Sequence, residues 1–172
     1  TLYSGIAGGA DMIVIPEIPY DIDKLCAACE KRAQQGKGFS ILAVAEGAFD
    51  VEEAKMKKKE RAKARAEAGI TTASNRIATQ IQTSTGLETR VCVPGHMLRG
   101  GSPSAYDRIL ATQFGVHAAE LIAQNKFGYA VAKIGDKISE NKLSDVAGKT
   151  KFVPTDDQMV KTAKDIGISF GD

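Results

Sequence analysis

The sequence predicts an α/β fold: a parallel sheet flanked by helices on both faces. Three observations carry this reading. Short apolar runs alternate with longer segments that suit helices. The runs, "MIVIP" and "ILAVA", are continuously apolar, as strands buried on both faces are. Gly or Pro stands at most of the boundaries, at Pro16, Gly36, Gly38, Gly69 and Gly128 among others. A length of 172 residues corresponds to about one domain and can bury a real core.

Each element has its own local reason. "TLYSGIAGGAD" has no capping residue before a first turn, so the chain is expected to begin inside an element, and its glycines let a helix end and turn into "MIVIPE". "DMIVIPE" is a β-branched run stopped by Pro16. "YDIDKLCAACEKRAQQGKG" reads as a helix capped by Asp21 or Asp23, with Leu25, Cys26 and Cys29 on one face. "FSILAVAEG" is a second buried strand. Residues 52–68 are rich in Ala, Lys, Glu and Arg, which favour helix, and Gly69 ends them. "TTASNRIATQIQTSTG" places Ile77 and Ile81 four apart on a further helix, and "ETRVCVPG" reads as a third strand. "SAYDRILATQFGVHAAELIAQNKFG" is a long helix with Ile109, Phe114, Val116 and Leu121 inward, closed by Gly128. "YAVAKIGDKIS" is a strand and turn. "TDDQMVKTAKDIG" is a last helix with a capping box from Thr155 to Gln158.

Composition excludes several function classes. The net charge is +2, too small to argue for a nucleic-acid partner. It is uneven, with seven Lys/Arg against four acids over 52–67. That segment has neither the apolar face a membrane-surface helix needs nor aromatics to stack on bases, and reads as a solvated helix projecting from the core. No apolar run approaches the roughly 20 residues that cross a bilayer. Three cysteines, Cys26, Cys29 and Cys92, make no disulfide framework, so a reducing cytoplasm is expected. Cys26 and Cys29 form a C-x-x-C, but no second pair follows to complete a zinc site, and the expected role is packing.

Ligands of parallel sheets sit beyond the carboxyl ends of the strands. That draws attention to Pro16-Glu17, Glu46-Gly47 and Gly95-His96. Glu46 ends "ILAVAE" and could accept hydrogen bonds from sugar hydroxyls, or simply open a loop. "GHMLRGG" is the strongest local signal. Arg99 offers a planar fork to phosphate oxygens, His96 a further donor, and Arg90 lies six residues upstream. Gly100 and Gly101 permit close backbone approach, and a helix from about Ser104 brings its positive end nearby. A phosphate-ester site and a buried structural arginine both fit these residues.

"GIAGGADMIVIPE", "ILAVAEG" and "GHMLRGGSPSAYDRILATQFG", in this order, resemble the C-terminal half of 6-phosphofructokinase from Thr1 to about Gly128, and more loosely beyond. The resemblance implies a phosphofructokinase-like fragment of a two-domain enzyme. It implies phosphorylation of fructose 6-phosphate to fructose 1,6-bisphosphate in glycolysis, from ATP or pyrophosphate, with Mg2+. Glu46 matches the acid that holds the sugar. His96 and Arg99, with Met97 and Leu98 between them, match the loop for sugar and 6-phosphate. Arg90 matches an arginine that reaches a neighbouring subunit's site in bacterial tetramers, so a homodimer or homotetramer is implied. Gly9, Asp11 and Lys37 align with a nucleotide effector site, but Gln35 and Gly38 replace basic positions there.

The resemblance also suggests boundaries. Residues 1–125 form the sugar-phosphate domain, with a basic insertion at about 51–85 that suggests the long-chain branch. Residues 126–172 complete the fold. No residue here matches the family's general base, which is expected upstream of Thr1. The 172-residue chain alone is therefore expected to be inactive. The competing reading is a non-catalytic, sugar-phosphate-binding regulatory module.

Overall fold

Met12–Val14 forms the strand β1, and all three of its side chains are buried. In the computed structural model, which describes residues 1–172, β1 pairs in parallel with β2 (Leu42–Val44), Met12 opposite Leu42 and Val14 opposite Val44. Its other edge meets Ser169: the Ile13 amide donates to the Ser169 carbonyl at 2.9 Å, and the Ser169 amide to the Asp11 carbonyl at 3.1 Å. β1 is thus the central strand, and the far end of the chain supplies its second neighbour.

Successive residues of a strand point to opposite faces, and the core divides accordingly. Met12 and Val14 join Tyr20, Leu25, Cys29, Ile77 and Ile81 on one face. Ile13 and Ile15 join Leu2, Val160, Ala163 and Phe170 on the other. The first face is covered by α2 (Ile22–Gln34) and α4 (Ala73–Thr85). The second is covered by α1 (Leu2–Ala7) and α7 (Gln158–Asp165). The expected parallel sheet with helices on both faces is what the chain forms.

Local chemistry accounts for most boundaries. Asp21 caps α2 by accepting from the Asp23 amide at 2.9 Å. Thr72 caps α4, and Gly86, at φ 71°, ends it in the left-handed conformation. The C-x-x-C packs as expected: Cys26 and Cys29 are buried, and burial pushes both thiols up. Cys29 Sγ lies 3.8 Å from Met12 Sδ.

The chain divides into two compact units, residues 1–92 with 152–172, and residues 93–151. The second holds α5 (Ala105–Ala123), an antiparallel hairpin of β3 (Tyr129–Ile134) and β4 (Lys137–Lys142), and the short α6 (Leu143–Val146). Ile134 pairs with Lys137, so the turn is Gly135-Asp136, with Gly135 at φ 60°. α5 packs on this hairpin.

Four expectations are corrected. "ETRVCVPG" is not a strand. Its Thr89 is occupied by α4, the amide and hydroxyl donating to Gln82 Oε1 and the hydroxyl also reaching the Ala78 carbonyl, and no second segment supplies a ladder. The inward side of α5 is Phe114, His117, Ala118 and Leu121, whereas Ile109 and Val116 are exposed. That helix ends at Ala123, with Gln124 as its cap and Asn125 at φ 54° just beyond, before Gly128 is reached. The cap of α7 is Asp157, which accepts from the Met159 amide at 2.7 Å; it stands nearer the first helical amides than Thr155 does.

Gly5 marks where α1 closes on the sheet. A Cβ there would fall 2.6 Å from Ile13 Cδ1 and 3.1 Å from Ala43 Cβ. Gly5→Val should cost about 3 kcal/mol through overpacking, read as a lowered denaturation midpoint. Gly38→Ala, whose Cβ meets nothing within 4 Å, is the control and should be neutral or slightly stabilising.

Candidate functional site

The carboxyl edge of the sheet carries two loops. After β1 the chain turns at Pro16-Glu17, and the Glu17 carboxylate accepts from the Val153 amide at 3.1 Å. After β2 it turns at Glu46-Gly47, closed by the Ala48 amide on the Ala45 carbonyl at 3.0 Å. Glu46 is exposed at this turn, while Ala48 and Asp50 just beyond it are buried.

Asp50 begins a charge network that the sequence reading missed. Its carboxylate accepts from the Glu53 amide at 2.7 Å and pairs with Arg76 of α4. Arg76 also pairs with Glu53, at 2.5 Å. Glu53 is gripped from the other side by Arg65, whose Nε and Nη2 lie 2.7 and 2.8 Å from its two oxygens. Arg65 belongs to α3 (Lys58–Glu67), the basic helix. From the same helix Arg61 lies over the Phe49 ring, 4.0 Å from its centroid. The expectation of a merely solvated helix is thus corrected: one side of α3 is anchored to the loop after β2. Partners 12 and 26 positions apart leave no periodic trace, and the only available signal was two acids shortly after a strand end.

Burial works against the Glu53 charge, but the Arg65 hydrogen bonds and the charges of Arg76 and Arg65 outweigh it, so the carboxyl sits below its usual range. Burial also pushes the neighbouring Tyr20 phenol up to about 12. The network is desolvated, and removing one member strands the others' charges.

Arg90 lies beyond α4 in the first unit. It is 87% exposed and forms a fork with Glu88 at 2.8 and 2.9 Å. An exposed pair of this kind contributes about 0–1 kcal/mol, so a phosphate could displace Glu88 at small cost. The open groove between α4 and this segment, about 430 Å³, is lined by uncharged side chains such as Asn75, Thr79, Gln82 and Thr89 and does not suit an anion.

His96, Met97, Leu98 and Arg99 share a single 3-10 turn, Gly95–Arg99, in the second unit. Gly95, at φ 55°, and Gly101, at φ 95°, bracket it. Met97 and Leu98 are 82% and 79% exposed. Ser104 caps α5 in a capping box with Asp107, whose carboxyl is held below its usual range by the Ser104 hydroxyl and amide. The anionic Asp107 offsets the positive end of α5.

Gly9, Asp11 and Lys37 lie at the opposite, amino edge of the sheet. Asp11 ties α2 to the start of β2: it pairs with Arg32 at 2.9 Å and accepts from the Ile41 amide at 2.8 Å. Gly9 has φ 68°, and Lys37 is exposed. An effector phosphate would compete with Asp11 for Arg32. No group of three His, Cys, Asp or Glu side chains is arranged to hold a metal ion. No helix is long and apolar enough to cross a membrane.

A parallel sheet covered on both faces, with polar loops at its carboxyl edge, defines an α/β protein of the doubly covered class. The family model described as phosphofructokinase matches residues 1–122. The chain belongs to the phosphofructokinase family. It is 48% identical over 171 residues to the ATP-dependent 6-phosphofructokinase of Spirochaeta thermophila, covering 99% of this chain and 47% of that protein. It is 42% identical over 170 residues to ATP-dependent 6-phosphofructokinase 3 of Bacteroides thetaiotaomicron, covering 99% and 46%. The chain thus spans about half the length of the curated relatives it matches. Among solved structures, phosphofructokinase from Saccharomyces cerevisiae superposes with a TM-score of 0.61 at 28% identity, over 84% of this chain and 18% of that one. A pyrophosphate-dependent phosphofructokinase from Marinobacter aquaeolei gives 0.63 at 21% identity, over 92% and 40%, a likeness of fold alone.

The lowered Glu53 carboxyl sets a pH dependence. Its stabilisation is complete above the ordinary carboxylate value, about pH 4.3, and is lost as pH falls through its lower folded value. Wild type should exceed Glu53→Gln in Tm at pH 6, and the gap should shrink steadily below about pH 4. A gap that is the same at pH 3 and pH 6 would contradict the charge network.

Proposed function

We propose that the natural polypeptide carrying this chain transfers a phosphoryl group to the 1-hydroxyl of fructose 6-phosphate, and that this chain supplies the sugar-phosphate-binding part. The observation that carries the reading is the His96–Arg99 turn. It is exposed, bracketed by glycines, and presents an imidazole and a guanidinium on one short segment. The close relatives are named ATP-dependent enzymes, which favours ATP over pyrophosphate as the donor.

Each residue has a role in this reading. Arg99 grips the 6-phosphate with a charge-assisted fork, and His96 adds a donor. Met97 and Leu98 give the apolar surface on which the sugar rests. Glu46 accepts from sugar hydroxyls and so sets the orientation of the ring. Arg90 exchanges Glu88 for a phosphate, in its own site or in that of a second copy within a homodimer or homotetramer. In this reading Mg2+ enters with the donor's phosphates, where such ions usually keep several waters. Deprotonation of the acceptor and orientation of the donor are not assigned to any residue here, so the 172 residues by themselves should show no turnover.

Arg99→Ala in the intact polypeptide should raise KM for fructose 6-phosphate about 10- to 150-fold, the worth of a charge-assisted hydrogen bond. kcat should fall less, because the 6-phosphate is remote from the reacting hydroxyl. KM for the donor should barely move. Unchanged sugar KM would remove Arg99 from the site.

Arg90→Ala should behave similarly. If Arg90 serves a second copy's site, mixed Arg90→Ala and Arg99→Ala protomers should exceed the mean activity of the two pure variants. No excess, with subunit exchange demonstrated, would assign Arg90 to its own chain or to no site.

A further inference from the structure

We propose that Arg65, on the basic helix α3, is a positioning residue for Glu46, acting through the carbonyl of Ala48. This rests on the sugar-binding role of Glu46 proposed above. Ala48 is fully buried, two residues after Glu46. Its carbonyl accepts from Arg65 Nη2 at 2.7 Å, and the same guanidinium grips Glu53 through Nε and Nη2. A buried carbonyl deprived of its donor is costly, so the peptide following Ala48 is held in one orientation only while Arg65 is in place.

The rest of the loop leaves little slack around that point. The Ala45 amide donates to the Val14 carbonyl at 2.9 Å, and Ala48 closes the turn on Ala45. Tyr20 and the loop exchange two bonds, the Tyr20 amide to the Phe49 carbonyl at 3.2 Å and the Val51 amide to the Tyr20 carbonyl at 3.0 Å. Gly47 lies against Pro16, where a Cβ would sit 3.6 Å from its ring. Glu46 and Gly47 are the exposed part of a segment fixed on either side. Arg61 of α3 also lies over the Phe49 ring, but among the hydrogen bonds to the backbone of residues 45–51 only the Arg65 bond comes from α3. That helix therefore acts as a brace for the sugar-binding loop, with its backbone hydrogen bond delivered by the Arg65 guanidinium. Arg65 suits the task because its planar fork reaches an acid and a carbonyl together, which a single ammonium cannot reproduce.

The test is Arg65→Lys in the intact polypeptide, measured with fructose 6-phosphate alone and combined with Glu46→Gln. Arg65→Lys should raise KM for the sugar about 5- to 20-fold with kcat changed less than about threefold, the size of a lost hydrogen bond at the binding step. In the Glu46→Gln background the same change should add less than about twofold, because the two residues act in series. Where Glu46→Gln itself shifts the sugar KM, an unchanged KM in Arg65→Lys, or an equal effect in both backgrounds, overturns the proposal; a purely structural Arg65 would lower Tm without this dependence.

Glu53→Gln keeps Arg65 but loosens its fork and gives a second measure. A sugar KM shift in the same direction supports the brace, and no shift overturns it. If Glu46→Gln alone leaves the sugar KM unchanged, it is the sugar-site reading that fails. Amide exchange then decides the brace itself: at least about tenfold faster exchange at Ala48 and Val51 in Arg65→Lys supports it, and unchanged exchange overturns it.

Discussion

Met12–Val14 must satisfy its backbone on two edges and bury its side chains on two faces, and the first unit is arranged around that requirement. β2 supplies one edge and Ser169 the other, from a position more than 150 residues away in the chain. The two faces require two sets of helices. α2 and α4 answer on one side, α1 and α7 on the other. Close approach demands Gly5 in α1, and Gly171 near the chain end, where a Cβ would meet Leu25 and Tyr20 at 3.0–3.1 Å. A three-residue strand contributes little by itself; its neighbours give it meaning.

Functional groups follow from the same geometry. Parallel strands send all their carboxyl ends to one edge, so Pro16-Glu17 and Glu46-Gly47 emerge side by side. Gly9, Asp11 and Lys37 lie at the amino edge instead. Asp11 there carries a structural duty, binding Arg32 and the Ile41 amide, which sets it apart from Glu46 at an exposed turn. The His96–Arg99 turn is built by different means. Positive-φ glycines bracket it and a capped helix follows, and Met97 and Leu98 on it are exposed.

Buried charge is the costly feature of this chain. Asp50, Glu53, Arg65 and Arg76 sit just beyond a strand end, where an apolar cluster of similar volume would often be as stable. What ions add is direction. The Arg65 fork fixes both an acid and a backbone carbonyl, and a hydrophobic contact fixes neither. The network also explains why a strongly basic segment can be an integral part of the fold. Lys57, Lys58 and Lys59 are exposed, whereas Arg61 and Arg65 of the same segment turn toward Phe49 and Glu53. Composition averages these residues together, and packing separates them.

The sequence by itself determined the alternation of strands and helices, the apolar faces at Leu25–Cys29 and Ile77–Ile81, a cap at Asp21 or Asp23 and the family motif from Gly95 to Gly101. Each is local: periodicity, a capping side chain or a contiguous motif can be read within a window of a few turns. Tertiary structure decided the rest. "ETRVCVPG" has a strand's composition but no partner, because Thr89 is bound to α4. "GISFG" lacks a strand's length, yet Ser169 completes the edge of β1 because that edge was vacant. Arg65 was indistinguishable from its charged neighbours until Glu53 and the Ala48 carbonyl were brought beside it. Local preference is written residue by residue. Partners distant in the chain are chosen only when the whole backbone satisfies its hydrogen bonds and buries its apolar faces at once.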